Sequence, residues 1–464
     1  MSAVAMREAY RARILSPREV VSTVLERIEL LNPHLTAYFT VTADLAEQQA
    51  AEAEVAYAKG RTGPPLLGIP VSVKDLIATK GIRTTYGSRM YADNVPDFDA
   101  PAVERLYAAG AVLLGKTATS EFGWKAPPGG RLFGPTRNPW DLELTTAGSS
   151  GGAAAAIACG LGPLAIGTDG GGSNRQPASF CGVVGFKATS GVVPTAPRSL
   201  AGDLEHTGPL ARTVRDVALL LDVIAGPDDR DWYSCPRVVD DYLHAAEGGV
   251  DQLRIAWSSD LGYAVCDPEV ASIAERAARR FEELGCSVEA AHPEWDDPTA
   301  MFDALFFDPW GAWMQSVLPE WEDDLDPGLR ALIERSGTGS SGDVAAAMQE
   351  RIMFRQRAHA FFEQFDLLLT PTMPLPPFPV GIDIPDVVAG QPVHGMQWTA
   401  FTFPFNLTGH PAISVPAGFT SEGLPVGLQI IGRWRTDATV LRAAASFEAI
   451  SGWSNMWPDT SWAR

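Results

Sequence analysis

The chain has 464 residues, 46% hydrophobic and 20% charged, a composition that supports a large buried core and excludes disordered, collagen-like and small disulfide-scaffold proteins. Lys plus Arg number 36 against 56 Asp plus Glu, a net charge of −20 that argues against a nucleic-acid partner. The charges are uneven: Leu144 to Asn174 holds only Asp169, and Leu367 to Gly432 only Asp383, Asp386 and Glu422, where a 20% content would place about 13.

In chain order, Ser16 as N-cap, Pro17 and Glu19 open a helix over 16–31 that Asn32-Pro33 is expected to stop. A second helix spans 43–59, and a short buried strand over 68–73 ends at Lys74-Asp75. Helix 101–109, strand 111–114, helix 151–159, strand 164–167 and helix 213–225 then alternate in the α/β manner. Strand 253–257, helix 268–284 and strand 287–290 form a βαβ unit. Residues 291–340 are rich in aromatics among acids (Trp295, Phe302, Phe306, Phe307, Trp310, Trp313, Trp321), read as a helical subdomain part of which walls an apolar pocket. Strands at 366–369, 413–415 and 426–431 and a helix at 437–450 close the chain. With no repeat and no composition break, one domain over 1–464 is expected, with 291–340 as an aromatic-rich variable segment inside it.

Gly and Pro break both charge-poor stretches into runs shorter than the roughly 18 apolar residues a membrane span needs. The start has no signal-like apolar run, and five scattered cysteines make no secreted framework, so a cytoplasmic location with free thiols is the expectation. Cys159 and Cys181 read as small buried apolar residues.

Two motifs compete for function. Gly110-Ala-Val-Leu-Leu-Gly-Lys116-Thr117 fits the phosphate-loop pattern GxxxxGK[ST], but a helix precedes it and its AVLL interior is strand-like, so a strand leaving through Gly-Lys-Thr is expected instead. The other constellation has three parts: Gly68-Ile-Pro-Val-Ser-Val-Lys74-Asp75, Ala147-Gly-Ser149-Ser150-Gly-Gly152, and Gly167-Thr-Asp169-Gly170-Gly171-Gly172-Ser173-Asn174-Arg175. Three glycines beside Ser173 can present successive N–H groups as an oxyanion hole adjoining a nucleophile. None of the seven histidines falls in these motifs and no Cys/His cluster exists, so neither a His-dependent triad nor a metal site is supported. Lys74, neutralised by a charge-poor setting, is the candidate base, with a serine hydroxyl relaying the proton.

These three segments resemble the amidase signature family of serine hydrolases, whose pattern runs GxPxxxKD, GGSSGG and GTDxGGSxRxPA. Further similar stretches occur at Phe180–Lys187, His206–Arg212, Asn406–Ile413 and Gly423–Ile430. The resemblance implies an α/β fold with a large mixed, mostly parallel twisted sheet covered by helices on both faces. It also implies Ser173 as nucleophile, Ser149 as bridging serine on a cis peptide after Gly148, and Lys74 as terminal base. Asp169 and Arg175 would brace the nucleophile loop, Ser150 would hydrogen-bond near Lys74, and the N–H groups of Gly170, Gly171 and Gly172 would hold the oxyanion. Gly123 and Trp124 are candidates for the substrate wall. Gly170, Asn174 and Ala147 depart from the pattern and are expected to open or polarise the acyl pocket.

The implied activity is hydrolysis of linear amides, anilides or carbamates (urethanes) through an acyl-enzyme, with esters as a side activity. It needs no cofactor and no metal, and its partner is a small-molecule substrate, not nucleic acid or membrane; homodimer formation is left open. The alternative is the amidase component of a glutamine-dependent tRNA amidotransferase, which shares all three motifs.

Overall fold

The computed structural model describes residues 1–60, 63–199, 201–316, 318–336 and 341–463. Its centre is an eleven-stranded sheet. The strands are β1 (Tyr38–Val41), β2 (Pro70–Lys74), β3 (Val112–Thr117), β4 (Leu164–Asp169), β5 (Val184–Lys187), β6 (His206–Ala211), β7 (Arg254–Trp257), β8 (Ser287–Ala290), β9 (Leu367–Pro371), β10 (Ala412–Phe419) and β11 (Pro425–Gly432). Their spatial order is β1-β3-β2-β4-β6-β5-β10-β11-β9-β7-β8.

Both faces are covered, and strand alternation explains how. Leu164 and Ile166 join a large apolar cluster with Val217, Leu220 and Leu221 of helix Val214–Ile224, whereas Ala165 between them packs with Ala153, Ala154 and Ile157 of helix Gly151–Ala158. Ile413 and Ile430 likewise meet Val440, Leu441 and Ala444 of helix Asp437–Ser451, while Ala412 and Ile431 join Phe401, Phe403 and Phe405 on the other side. Charge is scarce in these segments because they are buried on two sides at once.

The α/β class and the large mixed sheet are as expected; the mostly parallel character is not. Parallel pairing is confined to β3-β2-β4 and β9-β7-β8, and the run β4-β6-β5-β10-β11-β9 between them is antiparallel. The reason is partly local: β10 and β11 are consecutive and close as a hairpin across Thr420–Leu424. Strands β5 and β6 escaped sequence reading because Gly185, Gly208 and Pro209 weaken the strand pattern. Pro209 is tolerated because only Leu210 and Ala211 of β6 pair with β5.

Two smaller expectations also change. The first long helix runs Pro17–Leu35, through the exposed Pro33, and ends at Thr36 in the left-handed region, where the Asn32 side chain bonds both N–H and C=O of Tyr38. The phosphate-loop-like segment is strand β3 throughout its Gly-Lys-Thr end. A Cβ on Gly115 would strike the Thr40 carbonyl of β1, so glycine there serves strand packing. The buried Lys116 Nζ donates to Ile77 O (2.5 Å) and to Thr79 and Thr84 Oγ1 (2.9 Å each), leaving it no role with phosphate. The βαβ unit is present as β7, helix Pro268–Arg279 and β8, with β7 and β8 parallel. Among the described residues no helix is long and apolar enough to cross a membrane, and all five cysteines are free thiols.

Candidate active site

Strands β2 and β4 are parallel neighbours with Val73 opposite Ile166, so Lys74 and Thr168 emerge together at their carboxyl ends, where α/β sheets open their binding crevices. Lys74 is fully buried, and its Nζ makes two hydrogen bonds of 2.8 Å, to Ser149 Oγ and Thr168 Oγ1. Burial pushes its pKa down to about 7 against the opposing pull of Glu205 and Asp169. A neutral Lys74 has a lone pair, and the Ser149 hydroxyl can then donate to it.

Ser149 follows a cis peptide bond from Gly148 and stands just before helix Gly151–Ala158. Ser150 hydrogen-bonds near Lys74, as expected, through Thr168, which Lys74 also contacts. Its hydroxyl donates to Thr168 O (3.0 Å) and its N–H to Ser173 O (3.1 Å), so it pins the strand end and the Gly170–Ser173 loop to each other. Gly123, with φ +75°, lies against Ser149: a Cβ there would sit 3.2 Å from Ser149 Oγ.

Asp169 and Arg175 form a buried pair that organises the Gly170–Ser173 loop. Arg175 Nε and Nη2 meet the two Asp169 oxygens at 2.9 and 2.8 Å, and its remaining donors go to Thr402 O (2.9 Å), Gln429 Oε1 (2.7 Å) and Asn406 Oδ1 (2.7 Å). Burial would raise the Asp169 pKa, but the Arg175 charge and its hydrogen bonds outweigh it and hold the carboxyl well below its ordinary range. Asp169 also accepts from Gly172 N–H at 2.8 Å.

That last bond corrects the expected oxyanion hole. Gly172, at φ +122°, turns its N–H inward to Asp169, and a Cβ on it would collide with Thr402 Oγ1. The N–H groups of Gly170, Gly171 and Ser173 have no acceptor among the described residues and are the donors left for an oxyanion. The Gly171 carbonyl is held by Thr402 Oγ1 (2.7 Å) and Gln176 Nε2 (2.9 Å).

Ser173 lines a cleft of about 250 Å³ together with Gly123, Trp124, Phe302, Phe306 and Phe307. A smaller space of about 80 Å³ joins Ser173 to Ser149, Thr168 and Gly170. Among the described residues no hydrogen bond links Ser149 to Ser173; they share the wall of this space. The aromatic segment divides its labour. Helix Thr299–Met314 sends Phe302, Phe306 and Phe307 to the cleft, Trp295 packs on Phe354 and Phe405, and Trp321 packs around Leu325 and Leu329; residues 317 and 337–340 lie outside the described residues.

The departures from the motif act differently than expected. At Gly170 the Phe306 ring takes the vacant space: a Cβ would lie 2.7 Å from its Cε2. Asn174 points away from the cleft, between Gly167 and Gly208, where its Nδ2 donates to Phe186 O (3.4 Å). Ala147 is buried at φ +51°, in an apolar cluster with Phe180, Met373 and Phe378.

Thr168, Asn406 and Gln429 are contributors that motif reading missed. All three lie in segments singled out above, but only the fold shows that they converge on Lys74 or Arg175.

Residues 19–441 match the family profile described as Amidase. An acylamidase of Rhodococcus erythropolis is 39% identical, with 99% of this chain and 98% of that protein aligned. A component of the glutamyl-tRNA(Gln) amidotransferase of Moorella thermoacetica is 40% identical over 94% of this chain and 93% of its own. Among solved structures, a bacterial aryl acylamidase of the amidase signature enzymes superposes with a TM-score of 0.92 at 32% identity, covering 98% of this chain and 97% of that one. The 6-aminohexanoate cyclic dimer hydrolase gives 0.89 at 30% identity, covering 99% and 98%.

Proposed function

Because the chain belongs to the amidase family, whose members hydrolyse amide C–N bonds, we propose that it is a serine amidohydrolase of linear amides and anilides with apolar acyl groups, working through an acyl-enzyme on Ser173. The observation that carries this reading is the fully buried Lys74 Nζ at 2.8 Å from Ser149 Oγ, in the same small space as Ser173.

Neutral Lys74 takes the Ser149 proton while Ser149 takes that of Ser173, and Ser173 Oγ attacks the carbonyl carbon. The N–H groups of Gly170, Gly171 and Ser173 receive the oxyanion. Collapse breaks the C–N bond, the proton returns through Ser149 to the departing nitrogen, and water then cleaves the ester by the same relay in reverse. General-base relays of this kind supply about 10²–10⁴ in rate, and each oxyanion donor about 10²–10³. An aryl carbamate would follow the same course, its carbamoyl group leaving as a carbamic acid that loses CO₂.

A second reading, the glutamine-hydrolysing component of a tRNA amidotransferase, is favoured by the 40% identity to the Moorella thermoacetica protein. Phe306 and Phe307 line both the cleft and the small space at Ser173, which favours an apolar acyl group next to that serine, whereas Asp303, Asp308 and Arg335, the groups that suit the charged ends of glutamine, line only the cleft. The test is a panel of anilide, aliphatic amide, aryl carbamate and glutamine against the wild type and S173A. Anilide turnover that S173A lowers by about 10³ or more supports the proposal; glutaminase activity without anilide or carbamate turnover replaces it with the second reading.

A further inference from the structure

The small space around Ser149 and Ser173 opens in two directions. It shares Gly123, Trp124, Ser173, Phe306 and Phe307 with the cleft already described. On its other side it shares Leu76, Phe122, Thr168, Ser199, Glu205 and Trp310 with a chamber of about 440 Å³, which has no lining residue in common with the first cleft. The nucleophile thus stands between two separate cavities, one for each half of an amide.

Proton delivery decides which half goes where. The departing nitrogen takes its proton from Ser149, so it must lie on the Ser149 and Thr168 side, and whatever it carries extends into the second chamber. The acyl group takes the cleft of Phe302 and Phe307.

The second chamber is lined by the rings of Tyr86, Tyr91, Phe122, Trp310 and Trp313 and by two charged side chains, Glu205 and Arg198. Arg198 is spent: Nε and Nη2 pair with Asp231 at 2.6 and 2.7 Å, and Nη1 donates to Gly202 O and Glu205 O. The Glu205 carboxylate accepts from Ser199 N–H at 3.2 Å and has no ion-pair partner among the described residues. Aromatic faces around one uncompensated carboxylate attract an organic cation, through the ring quadrupoles and the charge together.

We infer that the second chamber receives the leaving-amine half of the substrate and selects amines bearing a further protonated nitrogen, so that monoacylated diamines are the favoured substrates. The inference rests on the hydrolase reading above. It also gives the carboxylate a function in turnover: Glu205 and Asp169 both hold a proton on Lys74, against the effect of burial, and a substrate cation beside Glu205 cancels one of those two pulls.

The test compares two isosteric amides, N-phenylacetyl-1,4-diaminobutane and N-pentyl phenylacetamide, with wild type and Glu205→Gln, which keeps an acceptor for Ser199 N–H. Wild type is expected to favour the diamine derivative in kcat/KM by about tenfold or more. In E205Q that ratio is expected to fall to near one. A wild-type ratio near one, or a ratio that E205Q leaves intact, overturns the inference. Calorimetry with 1,4-diaminobutane separates this from failure of the hydrolase reading. If neither amide is cleaved, diamine binding that E205Q weakens about tenfold or more keeps the chamber assignment, and equal or undetectable binding in both proteins overturns it.

Discussion

Replacing Arg175 by Met isolates what the buried ion pair does for the Gly170–Ser173 loop. Both Arg175 and Asp169 are inaccessible to solvent, and the substitution removes five hydrogen bonds while leaving a buried carboxylate without its ion-pair partner. Breaking a buried pair from one side costs about 3–5 kcal/mol. At about 2.1 cal/mol/K per residue, unfolding 464 residues carries an entropy near 1 kcal/mol/K, so the expected fall in Tm is only about 3–5 °C. The sign of the pH dependence is the sharper signature. In the wild type Asp169 has a depressed pKa, so its stabilisation is present above the unfolded carboxylate pKa and is lost as pH falls through the folded value. Without Arg175, burial dominates and the folded pKa rises above the unfolded one, so stability is kept below the unfolded pKa and lost as pH climbs through the raised folded value. Differential scanning fluorimetry from about pH 5 to 8 should therefore show R175M losing ground as pH rises. The double variant D169N/R175M, which removes both charges, should regain part of the loss. An R175M protein as stable as the wild type at every pH, or a double variant less stable than R175M, would refute this account of the loop.

Other expectations follow from single contacts. Gly172→Ala places a methyl group into Thr402 Oγ1 and disturbs the N–H to Asp169, so kcat on an anilide should drop by about 10² or more while KM changes little, checked by steady-state kinetics. Phe306→Ala empties the space beside Gly170; bulkier acyl groups should gain in kcat/KM relative to acetyl, and F306A combined with G170A should reverse much of that gain. Lys116→Met removes three buried hydrogen bonds to the 77–84 loop and should lower Tm, while ATP shifts the Tm of neither protein.

Sequence reading went furthest where one short segment carries both chemistry and geometry. Lys74 at a strand end, the paired serines before an alanine-rich helix, and the glycines beside Ser173 are local patterns, and the structure brings them to one space. Motif spacing carried no information on which N–H groups are free, because Gly172 is consumed by a bond to Asp169 three residues earlier, fixed by the turn itself. The partners of Arg175 come from positions 402, 406 and 429, more than 220 residues away, and only the antiparallel middle of the sheet delivers them. That middle was the part of the fold least visible in advance, since β5 and β6 hide behind Gly185, Gly208 and Pro209. The second chamber was invisible for the same reason: Tyr86, Glu205 and Trp310 meet only through tertiary structure.

The central claim, a Ser173 nucleophile driven by a neutral Lys74, is tested most directly by the pH dependence of covalent labelling with a fluorophosphonate, followed by intact-protein and peptide mass spectrometry. The account predicts one adduct, on Ser173, absent in S173A, whose rate rises through a single ionisation near pH 7 as Lys74 loses its proton and levels off above it. Labelling of another residue, or a Ser173 labelling rate flat from about pH 5.5 to 9, would contradict it.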